Sequence, residues 1–579
     1  MFDRNLLYAL IISVVIVVAF QMYYQYAYPP PQKKRPVPTG VEEPPKPVPP
    51  QVKKEQPEPP PKPAPSSAAQ PEQVKPEQPK VAEVRLKIDT PLYEAVVSSW
   101  GGKIVSFRLK KYRVNGNMGP DSDNLVNLDE PNGAHTGGPT ILFTGRSADG
   151  RSAEFGDDGL GFAVDTPKGG VLKLDDPGQK KSISLRAKTP SGIAIVKTFH
   201  FSADLYSVGV AYELTNDSAS DENYWITFPW RKTYKGENPK AQFNWNSAEM
   251  LINGELKDYY FKDIKGDEEP SGKVEWVALG DTYFMKSLAF ADRPAQRVTL
   301  FKPEGEGYAR VWIRYGSVDL PSKKPVTINL AAYLGPKEDD ALHAAGHNLD
   351  KARVYSYNHV LDLMATYLMK FLKLCNEGTT VAGIKIPGTH NYGIDIIFLT
   401  ILIKILFIPL SHKSMKSMKR MQDLQPQMAK IKEKFKDDKT AMNKATMDLF
   451  REHKVSPLGG CWPMFLQIPV FIALYQALSW AIELRHAPFM CVPSIYLCLN
   501  DLSAPDPYYV TPILMGGTMA LQQWMTPSAG DPTQRKMMML MPVFFTYIFL
   551  SFPSGLVLYW LVSNVLSIAQ QYVTNRMAQ

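Results

Sequence analysis

The chain has 579 residues, too many for one domain, so at least two folded units are expected. Its mean hydropathy of -0.21 is that of a soluble protein, but the average joins a proline- and charge-rich stretch, 29–80, to a mostly apolar one, 392–573. The net charge of +8 is concentrated in one segment, which argues against a DNA partner, and four cysteines without CxxC spacing argue against a disulfide scaffold or a thiolate metal site.

Residues 6–20 are nearly all apolar, with Arg4 before them and Tyr23, Tyr24, Tyr26 and Tyr28 after them. Aromatics beyond an apolar run suit the lipid–water interface, and no A-x-A cleavage site follows. An uncleaved membrane anchor over 1–28 is expected. The segment 29–80, rich in Pro, Lys, Glu and Gln, has nothing to bury and is expected to be a disordered spacer.

Residues 81–345 are expected to form an antiparallel β-sandwich. Alternating runs recur at 84–88, 103–109, 193–201, 206–214, 309–315 and 326–333, separated by turn residues such as Trp100-Gly101-Gly102. A polar helical stretch over 336–356 leads into a connector, 346–391. Within it, 358–375 mixes Asp362, Lys370 and Lys373 with apolar positions at helical spacing, the pattern of an interfacial amphipathic helix.

The remainder, 392–579, predicts a membrane core of five helices, at about 393–410, 463–482, 509–525, 537–553 and 555–573. Pro469, Pro512 and Pro542 fall inside them, as a helical bundle tolerates. The intervening loop 411–462 carries twelve basic residues against six acidic ones, and the loop 483–508 carries only Arg485. The positive-inside rule then places 411–462 and both termini in the cytoplasm, and the β domain and 483–508 outside. Cys491 and Cys498 lie in that external loop, where a bridge and two separate thiols are equally compatible with the sequence. In the cytoplasmic loop, helices over 412–435 and 440–453 form a hairpin. Its Met415, Met418, Met421, Met428 and Met442 lie among lysines, an adaptable surface for partners or a plain solvated hairpin.

Charge inside a membrane is costly and therefore informative. Lys404 sits in an otherwise apolar run, with Thr400 one turn earlier on the same face. Gln467, Gln522, Gln523, Ser563, Asn564 and Gln570 add polar groups in the other spans. Together they would line a wet groove open to the cytoplasm. Taken singly, Lys404 can snorkel to the interface and the others can bond helix to helix. No nucleotide-binding, metalloprotease or serine-hydrolase motif is present, and neither enzymatic activity nor a cofactor is expected.

Several long motifs resemble the YidC/Oxa1/Alb3 family of membrane protein insertases. They are Pro457-Leu458-Gly459-Gly460-Cys461-Trp462-Pro463, Gln467-Ile468-Pro469-Val470-Phe471, Asp506-Pro507-Tyr508-Tyr509-Val510-Thr511-Pro512 and Phe552-Pro553-Ser554-Gly555-Leu556. The opening Arg4-Asn5-Leu6-Leu7 is similar to the Gram-negative branch of that family. The resemblance implies an inner-membrane insertase and chaperone with a periplasmic β-supersandwich. It would pass nascent membrane proteins from a cytoplasm-facing groove into the lipid bilayer, alone or with the Sec translocon.

By the same resemblance Lys404 matches the groove cation, Thr400 and Gln467 line the groove, and Trp560 lies near the substrate. Trp462, Pro463, Ile468, Pro469 and Phe471 belong to the slide along which an apolar segment leaves. Lys413, Lys416, Lys419, Arg420, Lys432 and Lys434 are candidate ribosome or targeting contacts. Two departures stand out. The family usually has arginine where this chain has Lys404. Many relatives also carry a basic tail after the last span, so ribosome binding is expected to fall to 411–454 or 526–536. Other readings of the same residues are a secondary transporter or a membrane-tethered carbohydrate-binding protein.

Overall fold

The computed structural model describes residues 83–577, apart from 115–124, 129–137, 147–151, 165–169, 234–245, 303–307, 357, 382–383, 437, 454, 456–461, 493–496 and 526–531. The expected anchor and spacer lie outside the described residues.

Strands form at every alternating run named above. Ile193–Ser202, for example, buries every second side chain until its last two residues, the period of a sheet with one face on a core. The strands assemble into a 14-stranded sheet and a five-stranded sheet. Adjacent strands pair antiparallel almost throughout; Arg85–Asp89 with Val171–Lys173 is a parallel ladder. Ser247–Ile252 and Phe284–Phe290 are buried on both faces. Trp276, Tyr93, Phe107, Phe143 and Phe199 fill the core between the layers.

Two ionisable side chains are sealed in that core. Lys197 and Asp157 are both 0% exposed and lie 3.1 Å apart. Lys197 also donates to the Pro139 carbonyl at 2.5 Å and sits 4.8 Å from the Tyr212 ring centroid. Burial pulls the ammonium down and pushes the carboxyl up, and each partner opposes the other's shift. Every polar atom is thus answered, the condition under which a buried pair is tolerated.

The connector folds as α1 (Asp339–Ala345), a short 3-10 turn, and α2 (His359–Glu377). The side chain of Asn358 caps α2, accepting from the amides of Val360 and Leu361. Asp362 accepts from the amides of Tyr355 and Ser356 and so fixes the entry to the helix. Ala365, Met369 and Leu372 are buried, while Val360, Leu363, Tyr367 and Leu374 point outward. A helix that is apolar on both an inner and an outer face suits a position between protein and lipid.

Helices occupy the five C-terminal segments expected to span. They are α3 (Tyr392–Asp423), α6 (Trp462–Trp480), α7 (Val510–Met525), α8 (Pro532–Phe549) and α9 (Ser554–Met577). Among the described residues, α3 and α9 are long and apolar enough to cross a bilayer by themselves. Helix α3 does not stop at 410: it runs unbroken to Asp423. The first half of the expected hairpin is therefore the end of α3 followed by α4 (Gln425–Lys434), which restarts after Leu424 with proline in its first turn. The second half is α5 (Lys439–Glu452), capped by Asp438.

Met421 and Met428 pack on the hairpin's own small core of Leu424, Leu449, Phe450 and Val455. Part of the methionine surface therefore serves folding. Pro512 falls in the first turn of α7, where its missing N–H costs nothing. The Thr546 hydroxyl donates to the carbonyl of Pro542 in α8.

Candidate functional site: a lysine among hydroxyls

The family-like motifs first build the scaffold. The Asp506 carboxylate, 1% exposed, accepts from the Thr511 amide and hydroxyl at 2.8 and 2.9 Å and from the Tyr508 amide. It thereby answers donors at the start of α7. At the start of α9, the Ser554 hydroxyl donates to the Asp501 carbonyl, and the amides of Ser554 and Gly555 donate to Ala504 and Leu502. A Cβ on Gly516 would lie 1.9 Å from the Thr546 hydroxyl, so only glycine lets α7 and α8 approach this closely. At the start of α3, Asp395 is fully buried and accepts from Thr389 and from Asn376 at the end of α2.

Within this frame Lys404 reaches from α3 to α9. Its ammonium donates to the Ser567 hydroxyl at 2.6 Å, and that hydroxyl donates in turn to the Ser563 carbonyl at 2.8 Å. Among the described residues no carboxylate pairs with it. One level along α9, the Gln467 amide of α6 approaches the Tyr559 hydroxyl at 3.5 Å. Tyr559, Ser563 and Ser567 are spaced by four and form one polar stripe on α9. It covers about 12 Å of helix.

The sequence-predicted residues separate on inspection. Lys404 and Gln467 both meet this stripe. Thr400 is fully buried, its hydroxyl donating back to the Ile396 carbonyl at 2.6 Å. Asn564 is directed at α7, onto the Met515 carbonyl, and Gln571, the neighbour of the expected Gln570 and not itself expected, reaches the Met525 carbonyl. Trp560 packs with Phe471 of α6, centroids 4.8 Å apart, and with Phe545 and Phe549 of α8. Ile468 and Pro469 are exposed on α6, with Leu466. Trp462 and Pro463 lie in α6, but their side chains are outside the described residues. Lys413, Lys416, Lys419 and Arg420 are exposed on the extension of α3, and Lys432 and Lys434 on α4. Ser567 and Tyr559 were missed by sequence reasoning. Their four-residue spacing through Ser563 is the signal that could have found them.

In the loop after α6, Phe489–Val492 pairs antiparallel with Leu497–Leu499. Cys491 and Cys498 lie on these two strands, but their side chains are outside the described residues. The β domain joins the helices here. The Tyr283 hydroxyl donates to the Ser479 carbonyl at 3.3 Å, and Arg485 donates to the Val114 carbonyl while lying over Tyr283 and Phe284. Beneath them Arg353 pairs with Asp339 at 2.9 Å. Burial pushes Glu483 up, and the nearby Arg353 guanidinium partly opposes that shift. The described residues contain no cluster of ligating side chains suited to a metal ion.

Residues 385–579 match the profile of the 60Kd inner membrane protein family, and residues 85–369 match the YidC periplasmic domain. A membrane protein insertase YidC of Geobacter sulfurreducens is 39% identical over 84% of this chain and 85% of its own length. One of Syntrophus aciditrophicus is 36% identical over 100% of both chains. A solved chain described as an active YidC insertase is 16% identical over 84% of this chain and 91% of that one, with a TM-score of 0.35.

Proposed function

The chain belongs to the YidC family of membrane protein insertases, and from that premise we propose that Lys404 is the cation which draws the polar part of a nascent membrane protein into a groove between α3, α6 and α9. The protein is an inner-membrane insertase with a periplasmic domain and is not a catalytic enzyme. The observation that carries the proposal is the partner of Lys404: a neutral hydroxyl, Ser567. A lysine held by a hydroxyl is oriented but not neutralised, so its charge remains available to an acidic residue.

No covalent step is required. A polar lining on α9 lowers the desolvation cost of a hydrophilic segment part-way into the membrane. Reduced dielectric strengthens the attraction between Lys404 and a substrate carboxylate. The substrate's apolar segment then leaves along Ile468, Pro469 and Phe471 and the aromatic cluster at Trp560. Its burial in lipid contributes about 25 cal/mol per Å². Thr400 acts from within the packed helix interface as support for Lys404, and Trp462 and Pro463 open the slide. The exposed Lys413, Lys416, Lys419, Arg420, Lys432 and Lys434 serve as the ribosome-facing surface, with both termini cytoplasmic, an anchor at 1–28 and the Sec translocon as an occasional partner. The test is photocrosslinking of an arrested, ribosome-bound single-span protein to probes at Gln467 and Pro469 in native membranes. Crosslinks that need the arrested chain support the groove; silence at both positions in folded protein sinks it.

Cys491 and Cys498 form a bridge in this reading. Its support is that both lie on paired strands of the loop assigned to the oxidising side. Two free thiols in the oxidised, denatured protein are expected from the chain's four cysteines; four would remove the bridge.

A further inference from the structure

Lys404 stands shortly before Leu410, where the apolar run of α3 ends. Its backbone is thus about 9 Å of helix from the polar extension. A lysine at such a depth commonly swings its ammonium out to the interface, because its flexible stem permits it and hydration rewards it. Here the ammonium turns inward instead. Ile401, Leu402, Ile405 and Leu406 around it are exposed, while Lys404 reaches across to α9 and ends on Ser567.

Two features make Ser567 a fixed point. The first is the rotation of α9. Asn564, nearly one turn before Ser567, and Gln571, one turn after it, reach the Met515 and Met525 carbonyls of α7. The second is the direction of the hydrogen bonds. The single Ser567 proton goes to the Ser563 carbonyl at 2.8 Å, which leaves its oxygen as an acceptor. An ammonium only donates, so the bond between them runs one way, from Lys404 to Ser567. It uses one ammonium N–H and leaves two for a carboxylate. We propose that Ser567 is the positioning residue of this site. It holds the Lys404 ammonium inside the groove against its tendency to snorkel, and so decides where along a nascent segment an acidic residue is recognised. This rests on the role given to Lys404 above and adds to it a requirement for one hydroxyl. An arginine at the same place would need that hydroxyl less, since a planar guanidinium carries five donors in a rigid fork.

The test follows insertion by the full-length protein in phospholipid vesicles. The substrates are single-span proteins whose translocated segment carries one aspartate, moved stepwise along an otherwise neutral sequence. With the wild type, one aspartate position is expected to be inserted fastest relative to the neutral segment. Ser567→Ala is expected to lower that advantage roughly fivefold, the worth of about one hydrogen bond. It should also move the favoured position, because the freed ammonium swings towards the cytoplasmic interface. Ser567→Thr should keep the wild-type profile, since threonine retains a hydroxyl that bonds the carbonyl one turn back. In a Lys404→Arg background, Ser567→Ala should have a smaller effect. An unchanged profile in Ser567→Ala, where Lys404→Met abolishes the advantage, overturns the proposal and leaves the role of Lys404 standing. A wild type indifferent to the aspartate at every position sinks the role of Lys404, and this proposal with it. Equal slowing of acidic and neutral substrates by Ser567→Ala, or a clear fall in its melting temperature, would make Ser567 a packing residue and overturn the proposal too.

Discussion

The β domain and the helical core each contain a lysine withdrawn from water, and they treat it in opposite ways. Lys197 is sealed against Asp157, with neither side chain exposed. Lys404 is only partly buried and is held by the hydroxyl of Ser567. The first charge is fully compensated within the fold and can act on nothing else. The second is positioned without being neutralised. Compensation marks a structural charge; its lack in a membrane is what the proposed role of Lys404, a charge kept for a partner, rests on.

The comparison breaks if the same change has the same effect in both places. Lys197→Met leaves a carboxylate stranded in the core and is expected to cost about 3 to 5 kcal/mol. The measurement is the β-domain melting transition of the full-length protein in detergent. Lys404→Met should barely move any melting transition. It should instead slow insertion of substrates with acidic translocated segments, roughly tenfold for a lost charge-assisted bond near 1.5 kcal/mol. Substrates with neutral segments should be spared, and Lys404→Arg should restore the rate. Equal loss for both substrate types would remove the electrostatic role.

Smaller effects sharpen the boundary between scaffold and site. Asp506→Ala is expected to destabilise the helical core by about 1 to 2 kcal/mol, because donors at the start of α7 lose their acceptor. Its insertion selectivity should not change, and altered selectivity would put the motif in the groove rather than in the scaffold. The smallest effect is expected at the tie between α1 and α2. Lys373 pairs with Asp340 and holds that carboxyl below its usual range. A depressed carboxyl stabilises the fold above its ordinary titration point and loses that contribution as pH falls through the folded value. Asp340 is exposed, so Asp340→Asn should cost at most about 1 kcal/mol at neutral pH and nothing in strong acid. Hydrogen exchange in α2 measures it; a larger cost would mean that this tie, rather than apolar packing, seats the helix.

Much of this was legible in the chain itself. Alternation located the strands because a sheet with one buried face imposes a period of two, and apolar length located the helices because a bilayer imposes a thickness. The loop charges set the expected orientation, and the isolated Lys404 was conspicuous because the residues around it are apolar. Tertiary structure decided what each polar residue faces. Gln467 and Lys404 meet the α9 stripe, whereas Thr400 turns back onto its own helix and Asn564 onto α7. It also joined Lys197 to Asp157, 40 residues apart. Periodicity reports only which way a side chain leaves its own backbone. What stands there to receive it depends on strand register and helix rotation, which many distant residues set together.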